Sequence, residues 1–413
     1  MVSFDRFTLP NGLKVIIHHD SSTPLVSVNL LYNVGSKHED PSRTGFAHLF
    51  EHLMFGGSVN IPNYDDPVER ASGENNAFTS NDITNYYITL PKQNIETAFW
   101  LESDRMLSLA FSQQSLDVQK SVVIEEFNQR YLNQPYGDVW LLLRPLAYKV
   151  HPYMWPTIGK EISHIAEATL DEVKNFFYSH YAPNNAILCV AGDVQTQEIK
   201  DLANKWFGAI PSRDLVKPNI SSEPQQLEQR RLEVFRKVPY DSIYIAYHMC
   251  SKLHPDFPAT DLLSDILANG KSARLFQSLV KRQSLFSSID AFITGDIDEG
   301  LFVVTGRPAD GVSLQQAEEA IYRELANLTE NRVGDYELSK VLNRFESTFT
   351  FGLASTTDKA MNLSYNELLG DANLLNQTVD TYRSVNAADI QRVSKHLFTP
   401  ENSSVLYYCA EKS

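Results

Sequence analysis

Two histidines four residues apart, with a glutamate between them, stand in the run His48-Leu49-Phe50-Glu51-His52. On a helix, residues at i and i+4 project from one face a turn apart, so both imidazoles can reach the same point. Two neutral imidazoles and a carboxylate make a common zinc shell that leaves one position open for water. Glu51 follows His48 by three and adjoins His52. It can therefore sit beside the open position without ligating, and take a proton from the water there. Zinc lowers the pKa of a bound water to roughly 7, so a carboxylate base suffices near neutral pH. Phe46, Ala47, Leu49, Phe50, Leu53 and Met54 surround the motif and imply a largely buried helix. A His-Glu-His cluster there would be costly without a metal or partners.

A third ligand is needed. Ser121-Val122-Val123-Ile124-Glu125-Glu126 supplies an apolar turn leading into two adjacent carboxylates. Neighbouring residues on a helix point about 100° apart, so only one of the pair can face a metal held by another helix. Spacing alone does not choose between Glu125 and Glu126. The order His-x-x-Glu-His is the inverted form of a zinc-peptidase signature.

Several elements must position these groups. Phe7–Leu9, the turn Pro10-Asn11-Gly12 and Leu13–His18 predict a β-hairpin. Pro24–Tyr32 is a second apolar run, and Ile83–Leu90 reads as a strand. Thr44–Met54 has helical periodicity and stops at Gly56-Gly57. Asn94–Leu109 and Ser115 to about Leu132 also read as helices, and Ala186–Val190 as a short buried strand closed by Gly192. Residues 210–228, carrying Pro211, Pro218 and Pro224 with little periodicity, read as a linker. Beyond it the pattern recurs. Asp241–Met249 is β-rich like Pro24–Tyr32. Residues 259–267 overlay 46–54 with matching apolar positions, and Gly270 falls on Gly57. His48, Glu51 and His52 become Asp261, Ser264 and Asp265. The sequence thus predicts an α+β fold of two similar domains from an internal duplication, each a mixed or antiparallel sheet packed with helices. The zinc-binding domain spans 1–209, and a domain without metal ligands spans 229–413.

With 413 residues the chain can bury two cores. The 43% apolar and 21% charged content is that of an ordinary globular protein. A net charge of −15 argues against nucleic acid as a partner, since that requires clustered Lys and Arg. No apolar run approaches the ~18 residues of a membrane-spanning helix. Cys189, Cys250 and Cys409 lie far apart in apolar settings, as buried thiols of a reducing compartment do. The opening residues lack the pattern of a secretory signal. The expected location is the cytoplasm.

The sequence resembles the pitrilysin-type, or inverzincin, zinc metallopeptidases, the family of insulin-degrading enzyme and the mitochondrial processing peptidases. The resemblance runs through Leu9-Pro10-Asn11-Gly12-Leu13, the His48 helix and the stretch from Ser72 to Ser80. It continues through Val122–Glu126, His151-Pro152-Tyr153 and Tyr181–Asn185 to Ala191-Gly192-Asp193-Val194. It implies one Zn2+ per chain held by His48, His52 and Glu126, with Glu51 as catalytic base. It also implies that Asn76, Ala77, Phe78 and Thr79 form an edge strand pairing with peptide backbone. Where the family carries a supporting glutamate seven residues before the distal ligand, this chain has Gln119, which can hydrogen-bond but brings no charge. Where active members carry an Arg and a Tyr that grip the substrate, it has Val280 and Ser287. The implied activity is endopeptidase cleavage of peptides or unfolded segments inside a chamber of four such domains, completed by a second subunit. A similar subunit supplying the Arg/Tyr clamp would make a heterodimer. A homodimer using Lys281 or Arg282 is the alternative, and a non-catalytic scaffold or binding subunit is the rival function.

Overall fold

A computed structural model describes residues 1–215 and 219–411. Val216, Lys217 and Pro218, inside the stretch read as a linker, lie outside the described residues. The chain folds as two compact units. The first comprises residues 1–129, 155–220 and 350–377, and the second 130–154, 221–349 and 378–413.

The first unit is built on β1 (Asp5–Thr8), β2 (Lys14–His19), β3 (Leu25–Tyr32), β4 (Glu74–Thr79), β5 (Thr84–Pro91) and β6 (Ala186–Gly192). Their order across the sheet is β1-β2-β6-β3-β5-β4. The hairpin β1/β2 pairs antiparallel, β2 runs parallel to β6, and β3 lies antiparallel to both β6 and β5. Among the described residues β4 pairs only with β5, from Glu74↔Thr89 to Thr79↔Thr84, and so forms an edge. The helix Thr356–Leu368 packs on β3 and β6. It does so through polar contacts. Ser27 Oγ lies 2.9 Å from Thr356 Oγ1 and 2.7 Å from Thr357 Oγ1, and Asn29 Nδ2 donates to Ser364 Oγ at 3.0 Å.

The second unit is built on β7 (Arg230–Arg236), β8 (Ser242–His248), β9 (Phe286–Ile293), β10 (Leu301–Pro308) and β11 (Ser403–Ala410). Their order is β7-β11-β8-β10-β9. That is the first sheet without β1, strand for strand, including the parallel outer pair β7/β11. Gly57 and Gly270, which follow the two overlaid helices, both adopt φ +97°, a left-handed value that glycine reaches without a Cβ penalty. The mixed helix and sheet content and the shared topology agree with a duplicated α+β fold. The split at 210–228 needs one correction: each unit also takes a segment from the other half. Residues 350–377 cover the first sheet, and the helix Val139–Ala147 joins the second core. There Val139, Leu143 and Ala147 pack with Ala246, Leu301, Val303 and Leu406. No helix among the described residues is long and apolar enough to cross a membrane.

Candidate metal centre

The helix Phe46–Leu53 starts at Gly45, whose φ of +90° and close approach to the Ile158 carbonyl admit no side chain. Gly45 offers no capping oxygen, so the helix's first N–H groups need an acceptor from elsewhere. Glu39 provides it. Its carboxyl accepts from Gly45 N at 2.9 Å and Ala47 N at 2.8 Å, and Trp155 Nε1 donates to it at 3.1 Å. The group is fully buried, and burial pushes its pKa up to about 8 despite these donors. On the inner face, Phe50 stacks on Tyr181 at 5.2 Å and lies tilted against Phe176 at 5.1 Å, and Phe46 meets Phe176 at 6.0 Å. With Phe46, Leu49 and Phe50 locked inward, the half-buried face is left to His48, Glu51 and His52.

The helix Gln113–Phe127 brings the third group. Ser112 caps its start, accepting from Ser115 N, while Leu116, Val123 and Phe127 bury its inner side. The predicted continuation to Leu132 is present as a π-helical turn, Asn128–Leu132, rather than α-helix. Of the two adjacent carboxylates, Glu126 meets the histidines. Glu125 points to solvent and accepts from Gln129 Nε2 at 3.0 Å. Glu126 Oε2 lies 3.7 Å from His48 Nε2 and 3.5 Å from His52 Nε2, and one ligand atom from each residue fits within 4.8 Å of the others. These two separations exceed the 2.7–3.2 Å of an N–H···O hydrogen bond. Two ligand atoms each ~2.1 Å from a tetrahedral centre stand roughly 3.4 Å apart. The two Glu126–histidine separations are thus those of ligands sharing a tetrahedral ion, and the donor set of two imidazoles and a carboxylate suits zinc. Glu51, on the same helix, accepts a hydrogen bond from Thr79 Oγ1 of β4 at 2.6 Å.

The remaining predicted residues fall as follows. Gln119 sits half-buried two turns before Glu126 on its helix. In β4, alternation exposes Asn76 and Phe78, while Ala77 and Thr79 are half-buried. Val280 lies on the π-helical turn Phe276–Arg282 and packs against the second core. Ser287 is exposed and donates from Oγ to Arg307 O at 3.2 Å. Lys281 and Arg282 are exposed. Sequence reasoning missed Glu39, which bonds the helix start six and eight residues on, and Trp155, which reaches Glu39 from 116 residues away.

Residues 14–143 match the family model described as insulinase, peptidase family M16, and residues 167–345 match the M16 inactive domain. Between them they span about three quarters of the chain. The chain belongs to the M16 peptidase family. Among its M16 relatives is zinc protease PqqE of Helicobacter pylori, 29% identical over 98% of this chain and 92% of that protein. The beta subunit of the Saccharomyces cerevisiae mitochondrial-processing peptidase is 25% identical over 84% of this chain and 78% of its own. A crystal structure of an H. pylori protease superposes with a TM-score of 0.93 at 29% identity, covering 99% of this chain and all of that one. Pitrilysin shares the fold alone, with a TM-score of 0.78 at 16% identity, and this M16 chain covers 45% of its length.

Proposed function

We propose that this chain is a zinc-dependent endopeptidase acting on peptides or unfolded segments. The observation that carries the reading is the convergence of His48 Nε2, His52 Nε2 and a Glu126 carboxylate oxygen beside Glu51. His48, His52 and Glu126 would hold one zinc ion. When bound, the ion supplies Lewis-acid polarisation of the scissile carbonyl and acidifies a water. Glu51 takes the proton from the attacking water and returns it to the leaving amine, a role open to a carboxylate held in place beside the reacting atoms. The unpaired side of β4 offers backbone groups from Asn76 to Thr79 to an extended peptide, which favours backbone recognition over strict side-chain preference. The direct test is zinc content together with cleavage of a quenched peptide by the wild type and by Glu51→Gln.

The same reading calls for a second subunit. Val280, half-buried against its core, and the exposed Ser287 provide no cationic and phenolic pair to grip the scissile carbonyl. A similar chain bearing an Arg and a Tyr would complete one working site per pair and help close a chamber around the peptide. That a fold of this size covers 45% of pitrilysin's chain supports a two-copy arrangement. The cytoplasm is the proposed location, supported by three free cysteines, two of them buried.

A further inference from the structure

We propose that Thr79 is a positioning residue that fixes the orientation of the Glu51 carboxylate, so that β4, the strand offered to the peptide, also holds the base. This inference rests on the peptidase reading above and concerns what that reading leaves open: how Glu51 is aimed. Glu51 lies on a half-buried helix face, and the last torsion of a glutamate side chain is broad and two-fold. Helix geometry therefore sets where the carboxyl group is, and does not by itself set its rotation. The Thr79 hydroxyl restrains that rotation. Its oxygen stands 2.6 Å from Glu51 Oε2, inside the range of hydroxyl donors to carboxylates. The donor is itself well anchored. Thr79 is β-branched, with a stiff first torsion, and its backbone pairs with Thr84 of β5. Strand alternation turns Asn75, Ala77 and Thr79 toward the protein, while Asn76 and Phe78 turn out. One strand thus presents an open backbone edge and, through the inward side chain at its end, grips the base. A base held in one orientation is worth rate, because little rotational freedom is left to lose on reaching the transition state.

Two substitutions separate this role from simpler ones. Thr79→Val keeps the shape and removes the hydroxyl, and Thr79→Ser keeps the hydroxyl. Steady-state cleavage should show kcat in Thr79→Val reduced about 10- to 100-fold, the worth of one hydrogen bond to a charged group. KM should move by less than about threefold, and zinc content and thermal midpoint should match the wild type. Thr79→Ser should restore most of kcat. A raised KM with kcat intact would overturn the proposal in favour of a plain peptide contact, and equal losses in both variants would overturn it in favour of a packing role. A second readout is independent of turnover. Crystal structures of the metal-free proteins should show one Glu51 carboxylate orientation in the wild type and Thr79→Ser, and more than one in Thr79→Val. An unchanged Glu51 in Thr79→Val refutes the proposal whatever the activity. Absence of cleavage by the wild type, alone or with a partner, would instead strike at the peptidase reading and leave the carboxylate comparison to decide this one.

Discussion

Replacing Glu39 by glutamine should change how stability depends on pH, in the direction opposite to that of an ordinary carboxylate. Most carboxylates are held ionised by partners and lose their contribution on acidification. Glu39 is fully buried, and its pKa rises from an ordinary 4.5 to about 8. The folded state therefore binds the proton more tightly than the unfolded chain. The resulting stabilisation is complete below pH 4.5 and is lost as pH rises toward and through 8. A displacement of that size corresponds to roughly 5 kcal/mol at its limit, of which about 4 kcal/mol disappears between pH 5 and 9. Glutamine cannot ionise, so Glu39→Gln lacks this dependence. It also keeps only one acceptor oxygen for the Gly45, Ala47 and Trp155 donors, a pH-independent loss of about 1–3 kcal/mol.

The measurement is denaturant unfolding of both metal-free proteins from pH 5 to 9, scored as the difference between them. Other titrating groups cancel in that difference. His38 and His180, both held near 4 chiefly by burial, make stability rise between about pH 4 and 6.5 in each protein alike. The wild-type advantage should shrink by several kcal/mol as pH rises. A constant advantage would mean that Glu39 does not titrate in this window. An advantage that grows with pH would mean that the N–H donors at the helix start outweigh burial, and would refute the reasoning.

Three further outcomes are expected. A four-ligand zinc shell is worth about 10–16 kcal/mol, roughly 3 kcal/mol per ligand. His48→Ala, His52→Ala and Glu126→Ala should therefore each weaken zinc binding by about two orders of magnitude in a chelator competition, while Glu125→Ala should not; the reverse order for the two glutamates would break the ligand assignment. Glu51→Gln should keep zinc and fold while losing about 10²–10⁴ in kcat, the usual worth of a general base, and wild-type turnover in that variant would remove Glu51 from the mechanism. Cleavage of a quenched peptide should rise about 10²–10³-fold when a similar subunit bearing an Arg and a Tyr is added, the cost of missing transition-state donors; full activity of the lone chain, unchanged by the partner, would defeat the heterodimer.

Strands β1, β2, β3, β5, β6 and β8 were legible because each carries a local signature, whereas β7, β9, β10 and β11 were not read. Asn11-Gly12 marks the first hairpin, and the runs read as 24–32, 83–90 and 186–190 appear as β3, β5 and β6, with ends shifted by at most two residues. The His48 helix was legible from its apolar spacing and from Gly57. The choice between Glu125 and Glu126 could not be read from residue spacing, because it depends on the rotation of one helix against another; only the family resemblance pointed to Glu126. The exchange of residues 130–154 and 350–377 between units was also hidden. An amphipathic helix announces that it will bury a face and does not say against which sheet. The faint signal was polar: Ser27 and Asn29 interrupt an otherwise apolar strand, and in the structure they meet Thr356, Thr357 and Ser364.

The duplicated fold also explains why one zinc per chain is expected rather than two. Apolar spacing and a left-handed glycine suffice to rebuild the helix Phe257–Ala268 beside the second sheet, and both are kept. The positions corresponding to His48, Glu51 and His52 have turned to internal bonding. Tyr382 donates to a carboxylate oxygen of Asp261 at 2.6 Å, and burial raises the Asp261 pKa, which disfavours the ionised form a metal would need. Ser264 donates to the Asp261 carbonyl at 2.8 Å, and Asp265 accepts from Asn269 Nδ2 at 2.5 Å. The nearby Lys252 is half-buried, with its pKa lowered by burial, and its charge acts on Asp261, so a divalent cation would meet a like charge there. Among the described residues, only His48, His52 and Glu126 gather three ligand groups close enough to share an ion. Packing constrains residue shape and spacing, which many sequences satisfy; a metal centre constrains identity. The two halves therefore keep one topology while only the first keeps the residues for the chemistry.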